Sequence, residues 1–299
     1  MVALVTGGAG FIGSTLVDKL IEDKHEVVCV DDESAECNEQ FYYNDDAHSW
    51  KVSVTDSDAL LDLCTRYKPN WIFHLAAESR IQPTIDRPQD ACNTNIMGTC
   101  NVLQAARECG ARVMYSSTSA AYGLKNEPPL MEYMPTDCLN PYSVTKVAGE
   151  ALCKMYYELF GVETITFRYF NVYGPRQPVK GQYAPVVGLF MKQKAEGKKM
   201  TVVGDGEQRR DYTHVSDVVN ANILAAKCTA TRALGNIFNI GTGTNHSVND
   251  LVTLLEGEST FIPSREGEAR TTLADISNAY HLLQWTPQIK FEDYIKEQL

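Results

Sequence analysis

Short apolar runs alternate with longer amphipathic segments through the first half of the chain. Apolar runs rich in β-branched residues predict strands, whereas apolar residues spaced three or four positions apart predict helices. The predicted strands are Ala3–Thr6, Glu26–Asp31, Trp71–Ala76, Ala111–Ser117 and Glu163–Arg168. The helices predicted between them include Ile12–Glu22, Asp58–Tyr67, Asn93–Cys109 and Tyr142–Phe160. This order predicts an α/β fold with a doubly wound parallel sheet and a ligand crevice at the carboxyl ends of the strands.

The alternation ends after about Asn171, where shorter elements and loops such as Pro175–Pro185 and Gly204–Gly206 begin. We therefore expect a first domain over residues 1–170, to which some later segments return. Residues 171–299 should form mainly a smaller, discontinuous lobe that covers the crevice and binds the substrate.

Composition narrows the classes of function. The 299 residues are 44% hydrophobic and 22% charged, as in a soluble globular protein with a sizeable core. A formal net charge of -11 argues against nucleic acid as a partner. No basic leader and no run of about 18 apolar residues is present, so we expect a cytoplasmic protein without a membrane span. Nine cysteines without a CxxC pair predict neither a disulfide framework nor a metal site.

A glycine-rich turn follows the first predicted strand. Gly7, Gly10 and Gly13 stand between that strand and a helix that begins near Phe11. In this context the glycines permit a tight turn, a close approach of the backbone to a pyrophosphate, and close packing of helix on strand. The pattern therefore predicts a Rossmann-type dinucleotide site.

Acidic residues at the end of the second strand indicate which dinucleotide binds. Asp31 lies roughly 20 residues beyond the glycine turn, where a carboxylate accepts hydrogen bonds from ribose hydroxyls and repels a 2′-phosphate. The sequence thus favours NAD over NADP, although the neighbouring Asp32 could share or take this role.

Tyr142 and Lys146 form a Y-x-x-x-K pair directly after Pro141. The i,i+4 spacing places both side chains on one helix face, where an ammonium would lower the pKa of the phenol and make it a usable base. Upstream, the hydroxyls of Ser116–Ser119 follow an apolar strand and should emerge at the crevice. A hydroxyl there could hold a reacting oxygen and relay its proton.

These elements occur in the order typical of one family. The ordered motifs are TGGAGFIG, HLAAES, NIMGT, YSSTSAAYG, PYSVTK, RYFNVYGP, GDGEQRRDYTHVSD and REGEARTTLADIS. The chain resembles the extended short-chain dehydrogenases/reductases that act on nucleotide sugars, and it is similar to the UDP-glucose and UDP-N-acetylglucosamine 4-epimerases along almost its whole length. The resemblance implies NAD as a tightly bound prosthetic group and a C-terminal lobe that binds a nucleotide diphosphate sugar.

The resemblance also implies roles for particular residues. Thr118 matches the family's catalytic hydroxyl, Tyr142 its base, and Lys146 the partner that also binds the nicotinamide ribose. Asn95 matches a residue that supports this lysine and a water. The cofactor contacts that the resemblance adds to the glycines and acidic residues are Phe11, Ile12, Ser53, Val54, Leu75, Ala76, Ala77, Asn95, Ser116 and Tyr169.

For the substrate, the resemblance implies that Asn171, Arg210 and Arg265 hold the diphosphate and that Glu268 meets the uridine ribose. Planar guanidinium groups suit the two phosphates. Ser117 and Thr118 would line the sugar site. Surface ion pairs are the simpler interpretation for Arg209 and Arg270.

The residue seven positions after Arg265 lines the family's pocket beside the sugar C2 substituent. A bulky tyrosine there goes with unacetylated hexoses, and a small residue goes with an N-acetyl group. In this chain the position is Thr272. The alternative is that Thr272 simply belongs to a strand over Thr271–Ala274.

The chain departs from the family pattern in one place. Ser53 and Val54 stand where an acidic residue and a hydrophobic one usually contact adenine, so adenine recognition is looser or supplied by Asp56. Glu78 and Arg80 also lie near the active site by resemblance, as pocket lining or as members of local salt bridges.

The expected reaction is epimerisation at C4. Tyr142 takes the proton of the sugar 4-hydroxyl as the C4 hydride moves to NAD, and the resulting 4-keto sugar turns over before the hydride returns to its other face. UDP-GlcNAc/UDP-GalNAc is the first substrate pair expected, and UDP-Glc/UDP-Gal the second.

Alternatives to C4 epimerisation remain open. Ser119 and Ala120 stand where dehydratases carry Asp-Glu and decarboxylases carry Glu, which disfavours both reactions. A 4-ketoreductase and an epimerase acting at C2 or on a uronic acid stay open, as does a non-catalytic NAD-binding scaffold.

Association is expected as a homodimer through a four-helix bundle, as in relatives of the family. The two long helices carry apolar positions beyond one core-facing stripe, namely Met97, Val102, Leu103, Leu152, Met155 and Tyr156. The alternative is that all six face the protein's own core.

Overall fold

The computed structural model describes residues 1–179, 184–264 and 269–299. Its strands are β1 (Val2–Thr6), β2 (Glu26–Val30), β3 (His48–Trp50), β4 (Trp71–His74), β5 (Arg112–Thr118), β6 (Thr164–Tyr169), β7 (Val172–Tyr173), β8 (Met200–Val203), β9 (Arg209–Arg210), β10 (Thr213–His214), β11 (Ile237–Ile240), β12 (His246–Ser247) and β13 (Ser259–Ile262).

The helices of the same ranges are α1 (Phe11–Glu22), α2 (Ser57–Tyr67), α3 (Ile81–Asp86), α4 (Pro88–Cys92), α5 (Gly98–Cys109), α6 (Pro141–Phe160), α7 (Val186–Ala195), α8 (Val215–Lys227), α9 (Val248–Leu254), α10 (Ser277–Leu283) and α11 (Phe291–Glu297). A π-helical turn over Asn93–Met97 leads directly into α5.

Within the described ranges, seven strands form one sheet in the order β11-β6-β5-β4-β1-β2-β3. Every neighbouring pair in this sheet is parallel. The Rossmann-type doubly wound fold is therefore confirmed. The short strand β3 was not among the predicted strands, because only three residues pair and two of them are exposed.

Apolar layers cover both faces of the sheet. Leu16 and Leu20 of α1 and Val218 of α8 pack on one face, and Leu60 of α2 and Leu103 of α5 pack on the other. Burial on both faces explains why the central strands read as continuous apolar runs without alternation. The apolar layers do not cover the carboxyl edge of the sheet, where the predicted functional residues lie.

Helix α6 is set firmly against this edge. Asn140 caps its first turn in a capping box with Ser143, and Pro141 occupies the first helical position. Further along, Gly149 lies against Tyr115, where an added Cβ would come within 2.1 Å of the phenol oxygen. This close approach fixes the distance between α6 and β5, the two elements that carry the predicted catalytic residues.

The smaller lobe has its own apolar cluster. Parallel strands β8 and β13 pair, and helices α7, α9 and α11 pack around residues such as Phe190, Leu251 and Phe291. The chain also returns to the large sheet through β11, which pairs with β6, and through α8, which packs on α1.

No helix in the described part of the chain is long and apolar enough to cross a lipid bilayer.

Candidate active site

A cleft of about 1090 Å³ opens at the carboxyl edge of the sheet, and the smaller lobe contributes its other wall. The glycine turn, the end of β5 and the start of α6 line one side, whereas residues of β7, β9 and the 271–272 segment line the other. The cleft therefore brings together most residues that the sequence predicted for the site.

Two glycines of the turn cannot be replaced without strain. Gly7 has φ +68°, and a Cβ there would lie 2.7 Å from the backbone nitrogen of Ala76. A Cβ on Gly13 would lie 2.0 Å from the carbonyl oxygen of Gly7. The turn thus packs directly on the end of β4 and leaves the N-terminus of α1 facing the cleft, as an anion-binding turn requires.

Asp31 is held with its carboxylate at the end of β2. The backbone N–H of Ala9 donates to Oδ2 at 3.1 Å, and that of Glu33 donates to Oδ1 at 2.8 Å. Burial raises the pKa of this carboxyl, and the two N–H donors oppose the rise. Asp32 instead caps its own turn by accepting hydrogen bonds from Ser34, so Asp31 is the better placed of the two for a ribose.

The predicted adenine contacts separate in the structure. Val54 is buried and lines the cleft, where it packs against Gly98. Ser53 lies outside the cleft lining and shares a hydrogen bond with Thr55. Asp56 caps helix α2 through the N–H of Ala59 and is committed to that structural task.

The reacting end of the cleft combines Thr118 with Tyr142. Thr118 ends β5 and lines the cleft together with Tyr142, and its hydroxyl accepts the N–H of Ala120 at 3.1 Å. Lys146 lies one helical turn beyond Tyr142, is 4% exposed, and donates from Nζ to the carbonyl oxygen of Ser116 at 2.8 Å. The three residues of the predicted constellation therefore lie together in one cleft.

The pKa of Tyr142 differs from the sequence-based expectation. Burial raises the pKa of the phenol, opposed by the neighbouring Thr118 hydroxyl and by the positive charge of Arg80. The expectation of a lowered pKa is thus wrong, because Lys146 is bonded to the β5 backbone. Burial lowers the pKa of Lys146 itself to about 8.

Asn95 lies behind the site and does not line the cleft. Its amide nitrogen donates to the Glu78 carbonyl at 3.0 Å and to the Thr145 hydroxyl at 2.9 Å, and its oxygen accepts the Glu78 N–H at 2.8 Å. The residue therefore ties the loop after β4 to the helix that carries Tyr142 and Lys146, and it acts on the site through those elements.

Two serines beside Thr118 have different partners. Ser116 donates to the phenol oxygen of Tyr169 at 3.2 Å, which also accepts a hydrogen bond from Asn222. Ser117 donates at 2.5 Å to Glu150, whose carboxylate forms a buried ion pair with Arg168 at 2.7 Å. Sequence reasoning missed Glu150 and Asn222, since neither belongs to a motif with recognised chemistry.

On the opposite wall, Asn171 and Thr272 meet although 101 residues separate them. The Asn171 amide donates to the Thr272 hydroxyl at 3.3 Å and to the Asp211 carbonyl at 3.0 Å. The Thr272 hydroxyl also accepts the Asp211 N–H at 3.3 Å. No strand forms over Thr271–Ala274, where only isolated bridges occur.

Asp211 organises this wall and was not predicted. Its fully buried carboxylate accepts hydrogen bonds from Thr242, Gly243 and Ala274. The sequence carries no direct signal for this role, because the burial of Asp211 and its donors from distant segments appear only in the fold.

The arginines differ as expected. Arg210 lines the cleft and donates to the Arg209 carbonyl. Arg209 is bonded to Asn245 and paired with Asp250, and Arg270 forms a two-pronged surface pair with Asp205. The surface-ion-pair interpretation is therefore confirmed for Arg209 and Arg270. Arg265 and Glu268 lie outside the described residues.

The remaining residues predicted to contact the cofactor surround the glycine turn. Those that line the cleft are Gly10, Phe11, Ile12, Leu75, Ala76 and Ala77. The glycine turn and the N-terminus of α1 match the pyrophosphate of a dinucleotide. The carboxylate at the end of β2 matches its adenosine ribose. The residues present thus fit NAD.

Comparison with known proteins gives the same assignment. The model of the NAD dependent epimerase/dehydratase family matches residues 3–241. A UDP-glucose 4-epimerase of Mycolicibacterium smegmatis is 37% identical over 306 residues, which cover 99% of this chain and 96% of that relative.

Solved structures agree over the whole chain. A UDP-glucose 4-epimerase of Thermotoga maritima with UDP-glucose matches with a TM-score of 0.93 and 34% identity, covering 99% of this chain and 96% of the other. A UDP-N-acetylglucosamine 4-epimerase of Methanobrevibacter ruminantium in complex with UDP-N-acetylmuramic acid matches with a TM-score of 0.91 and 30% identity, with coverages of 99% and 96%. The predictions of an isomerase and of NAD as cofactor are confirmed. The chain belongs to the NAD dependent epimerase/dehydratase family.

Proposed function

We propose that this enzyme epimerises a UDP-sugar at C4. The observation that carries the proposal is the pairing, in one cleft, of the Thr118–Tyr142–Lys146 constellation with the Asn171, Arg210 and Thr272 wall. One wall can exchange the O4 proton, and the other can retain a nucleotide diphosphate throughout the reaction.

Tyr142 removes the proton of the sugar 4-hydroxyl, and the hydroxyl of Thr118, which lines the same cleft, holds the reacting oxygen. NAD held at the glycine turn would supply the acceptor for the C4 hydride and the donor for its return to the other face of the ketone. Lys146 lies one helical turn from Tyr142 and lines the same cleft, where it can bind the nicotinamide ribose. The same Tyr142 returns the proton to O4 of the product.

The 4-keto sugar must present both faces to the cofactor without leaving. We assign its retention to the diphosphate, held by the Asn171 amide, by Arg210 and by Arg265. Binding energy from this remote group allows the sugar ring to turn while the ketone stays inside the cleft.

A small residue at Thr272 supports a 2-acetamido sugar as substrate. Both Thr271 and Thr272 line the cleft, and the Thr272 hydroxyl is oriented by Asn171 and Asp211. UDP-GlcNAc/UDP-GalNAc is therefore the first substrate pair proposed, and UDP-Glc/UDP-Gal the second. Neither Ser119 nor Ala120, which follow Thr118, can act as the acid or base of a dehydration.

We also propose a homodimer, with a revised contact surface. Val102, Leu103 and Tyr156 are buried in the core of this chain, so their assignment to the dimer face was wrong. The outward face of α6 instead carries Val144, 51% exposed, and Ala151, also exposed, with Met97 53% exposed at the start of α5. Light scattering at micromolar concentration should give about twice the 33.3 kDa chain mass, and Ala151→Arg should lower it to one chain.

The test of the activity is incubation of purified protein with UDP-GlcNAc and UDP-glucose without added NAD. We expect the C4 epimer of each to accumulate to equilibrium, measured by proton NMR of the anomeric signals. If no epimer forms, and the protein instead oxidises added NADH when a 4-keto sugar is supplied, the enzyme is a 4-ketoreductase.

A further inference from the structure

The cleft is lined by five cationic side chains within the described residues, and one of them differs from the rest. Lys146 donates to Ser116, Lys192 pairs with Glu39 at 2.9 Å, Lys198 pairs with Glu196 at 2.7 Å, and Arg210 is bonded within its own wall. The fifth is Arg80. Its guanidinium makes no hydrogen bond or ion pair with any residue that the structure describes.

The backbone of Arg80 is fixed even though its guanidinium has no partner. The residue precedes α3 in an extended conformation, and its carbonyl accepts the Thr84 N–H at 3.3 Å. Asn95 clamps the same loop through two hydrogen bonds to the Glu78 backbone. The side chain therefore enters the cleft from a rigid base, and the loop positions it toward ligand.

Arg80 acts at the reacting end of the cleft. Its positive charge is one of two influences that oppose the burial-driven rise in the pKa of Tyr142, so the guanidinium lies within electrostatic reach of the phenol that handles O4. Ile81, the next residue, also lines the cleft, and α3 packs against α6. A group bound by Arg80 is thus close to the sugar carbon that reacts.

Each phosphate group already has a binding site elsewhere. The glycine turn and the N-terminus of α1 serve the NAD pyrophosphate, and Asn171 and Arg210 on the opposite wall serve the substrate diphosphate. The positions next to C4 on a hexose are C3 and C5. A carboxylate at C6, attached to C5, is an anion that a nucleotide sugar can present there, and its two oxygens match the guanidinium fork.

We propose that Arg80 is a specificity-determining residue that binds the C6 carboxylate of a nucleotide-activated uronic acid. The proposal rests on the proposed C4 epimerisation and specifies its substrate class. It leaves the assignment of Thr272 to the C2 substituent in place. The neutral UDP-sugars stay substrates, and the plain and 2-acetamido uronic acids are the forms the cleft would prefer.

The experiment compares four substrates with four proteins. UDP-glucuronate and its 2-acetamido counterpart are each paired with the neutral sugar, UDP-glucose or UDP-GlcNAc, and kcat/KM and Kd are measured for every combination. The proteins are the wild type, Arg80→Gln, Arg80→Lys and the control Arg87→Gln. Arg87 lies on the same segment, outside the cleft lining, and pairs with Glu36 at 3.3 Å.

The wild type should prefer each uronic acid over its neutral partner by about 10- to 100-fold, the scale of a hydrogen bond to a charged group. Arg80→Gln should bring this ratio close to one, mainly by raising KM and Kd for the uronic acids. Arg80→Lys should keep part of the preference, because it keeps the charge without the fork. Arg87→Gln should keep all of it.

Three results would overturn the assignment. One is a wild type that binds and converts neutral sugars as well as uronic acids. Another is an Arg80→Gln protein that slows all four substrates equally. The third is loss of bound NAD from Arg80→Gln with an unchanged substrate ratio, which would place the cofactor pyrophosphate on Arg80. Failure of C4 epimerisation itself would appear separately, as no epimer from any sugar, while the Kd ratios would still decide whether Arg80 reads a carboxylate.

Discussion

The two walls of the cleft are built in different ways. The cofactor wall comes from consecutive residues, because one turn from Gly7 to Gly13 and one carboxylate at the end of the next strand create most of it. The substrate wall takes Asn171, Arg210 and Thr272 from three separate segments. Asn171 and Thr272 are hydrogen-bonded to each other and to the backbone of Asp211, the residue after Arg210. The backbone determines the first wall, and side-chain choice determines the second.

This difference has a functional consequence. A wall made of backbone groups, and of glycines at which any Cβ would clash, accepts one type of ligand and tolerates few substitutions. A wall made of side chains can change its ligand by single substitutions without altering the fold. Mutations should therefore separate into those that remove catalysis, those that change the cofactor, and those that only shift the choice of sugar.

The largest effect is expected at the proton-transfer group. Tyr142→Phe should lower turnover by ~10²-fold or more, the scale of lost acid–base catalysis, while NAD content stays near that of the wild type. Turnover by NMR and NAD by absorbance of denatured extracts would be measured on one preparation. Tyr133→Phe, at a tyrosine 81% exposed and outside the cleft lining, is the matched control. Near-normal epimerisation by Tyr142→Phe would refute the assignment of the base.

Lys146→Met should also lower turnover by ~10²-fold and weaken NAD retention, because the same ammonium would support the Tyr142 phenol and bind the nicotinamide ribose. It should change stability as well. The folded-state pKa of Lys146 is lowered to about 8 from 10.5, so between these values the unfolded chain binds more protons and stability rises with pH. Lys146→Met should lose this rise between pH 8 and 10 in thermal unfolding of NAD-free protein.

The control for that pH effect is Lys154→Met, on the same helix, where the side chain is 67% exposed. This variant should keep the wild-type dependence of the unfolding temperature on pH. Equal slopes for wild type and Lys146→Met would contradict the predicted burial of a titrating ammonium.

The cofactor wall predicts a smaller and more selective effect. Purified protein should release NAD on denaturation, and Asp31→Ser should reduce the preference for NAD over NADP by about 10-fold, since charge-assisted hydrogen bonds to the ribose are lost. Competition binding to NAD-depleted protein measures the ratio. Asp32→Ser is the neighbouring control and should leave the ratio close to that of the wild type; the reverse pattern would make Asp32 the determinant.

On the substrate wall, the smallest of these effects is expected from Thr272→Tyr. The added ring should lower kcat/KM for sugars with a 2-acetamido group about 10-fold more than for those with a 2-hydroxyl, through steric overlap at C2. Thr272→Ser keeps the hydroxyl that Asn171 and Asp211 orient and should keep the wild-type ratio. Equal losses on both sugars would remove Thr272 from the C2 site.

The sequence was most informative about the cofactor wall. Periodicity gave the strands and helices, the glycine spacing gave the turn, and i,i+4 spacing paired Tyr142 with Lys146, all of which are local relations. It could not give the Asn171–Thr272 contact, because no local pattern encodes a pair 101 residues apart.

Electrostatics and packing were also hidden from the sequence. The pKa of Tyr142 depends on the direction of the Lys146 ammonium. That ammonium donates a hydrogen bond to a backbone carbonyl of β5. Apolar residues in excess of one helical stripe predicted a dimer face, yet Val102 and Leu103 of α5 fill the space against the sheet because α2 covers a second side of the helix.

The position of β11 at the end of the sheet has a consequence for how the protein is made. Strand β6 is buried along its whole length and hydrogen-bonds to β11, which is synthesised about 70 residues later. Until Ile240 has left the ribosome, the edge of β6 has no pairing partner and the side chains of Ile165 and Phe167 stay exposed. Both can then associate with other unfolded chains. A gene fragment that stops at residue 170 would therefore give an aggregation-prone product instead of a free-standing NAD-binding module, and co-translational folding of the sheet must wait for the second half of the protein.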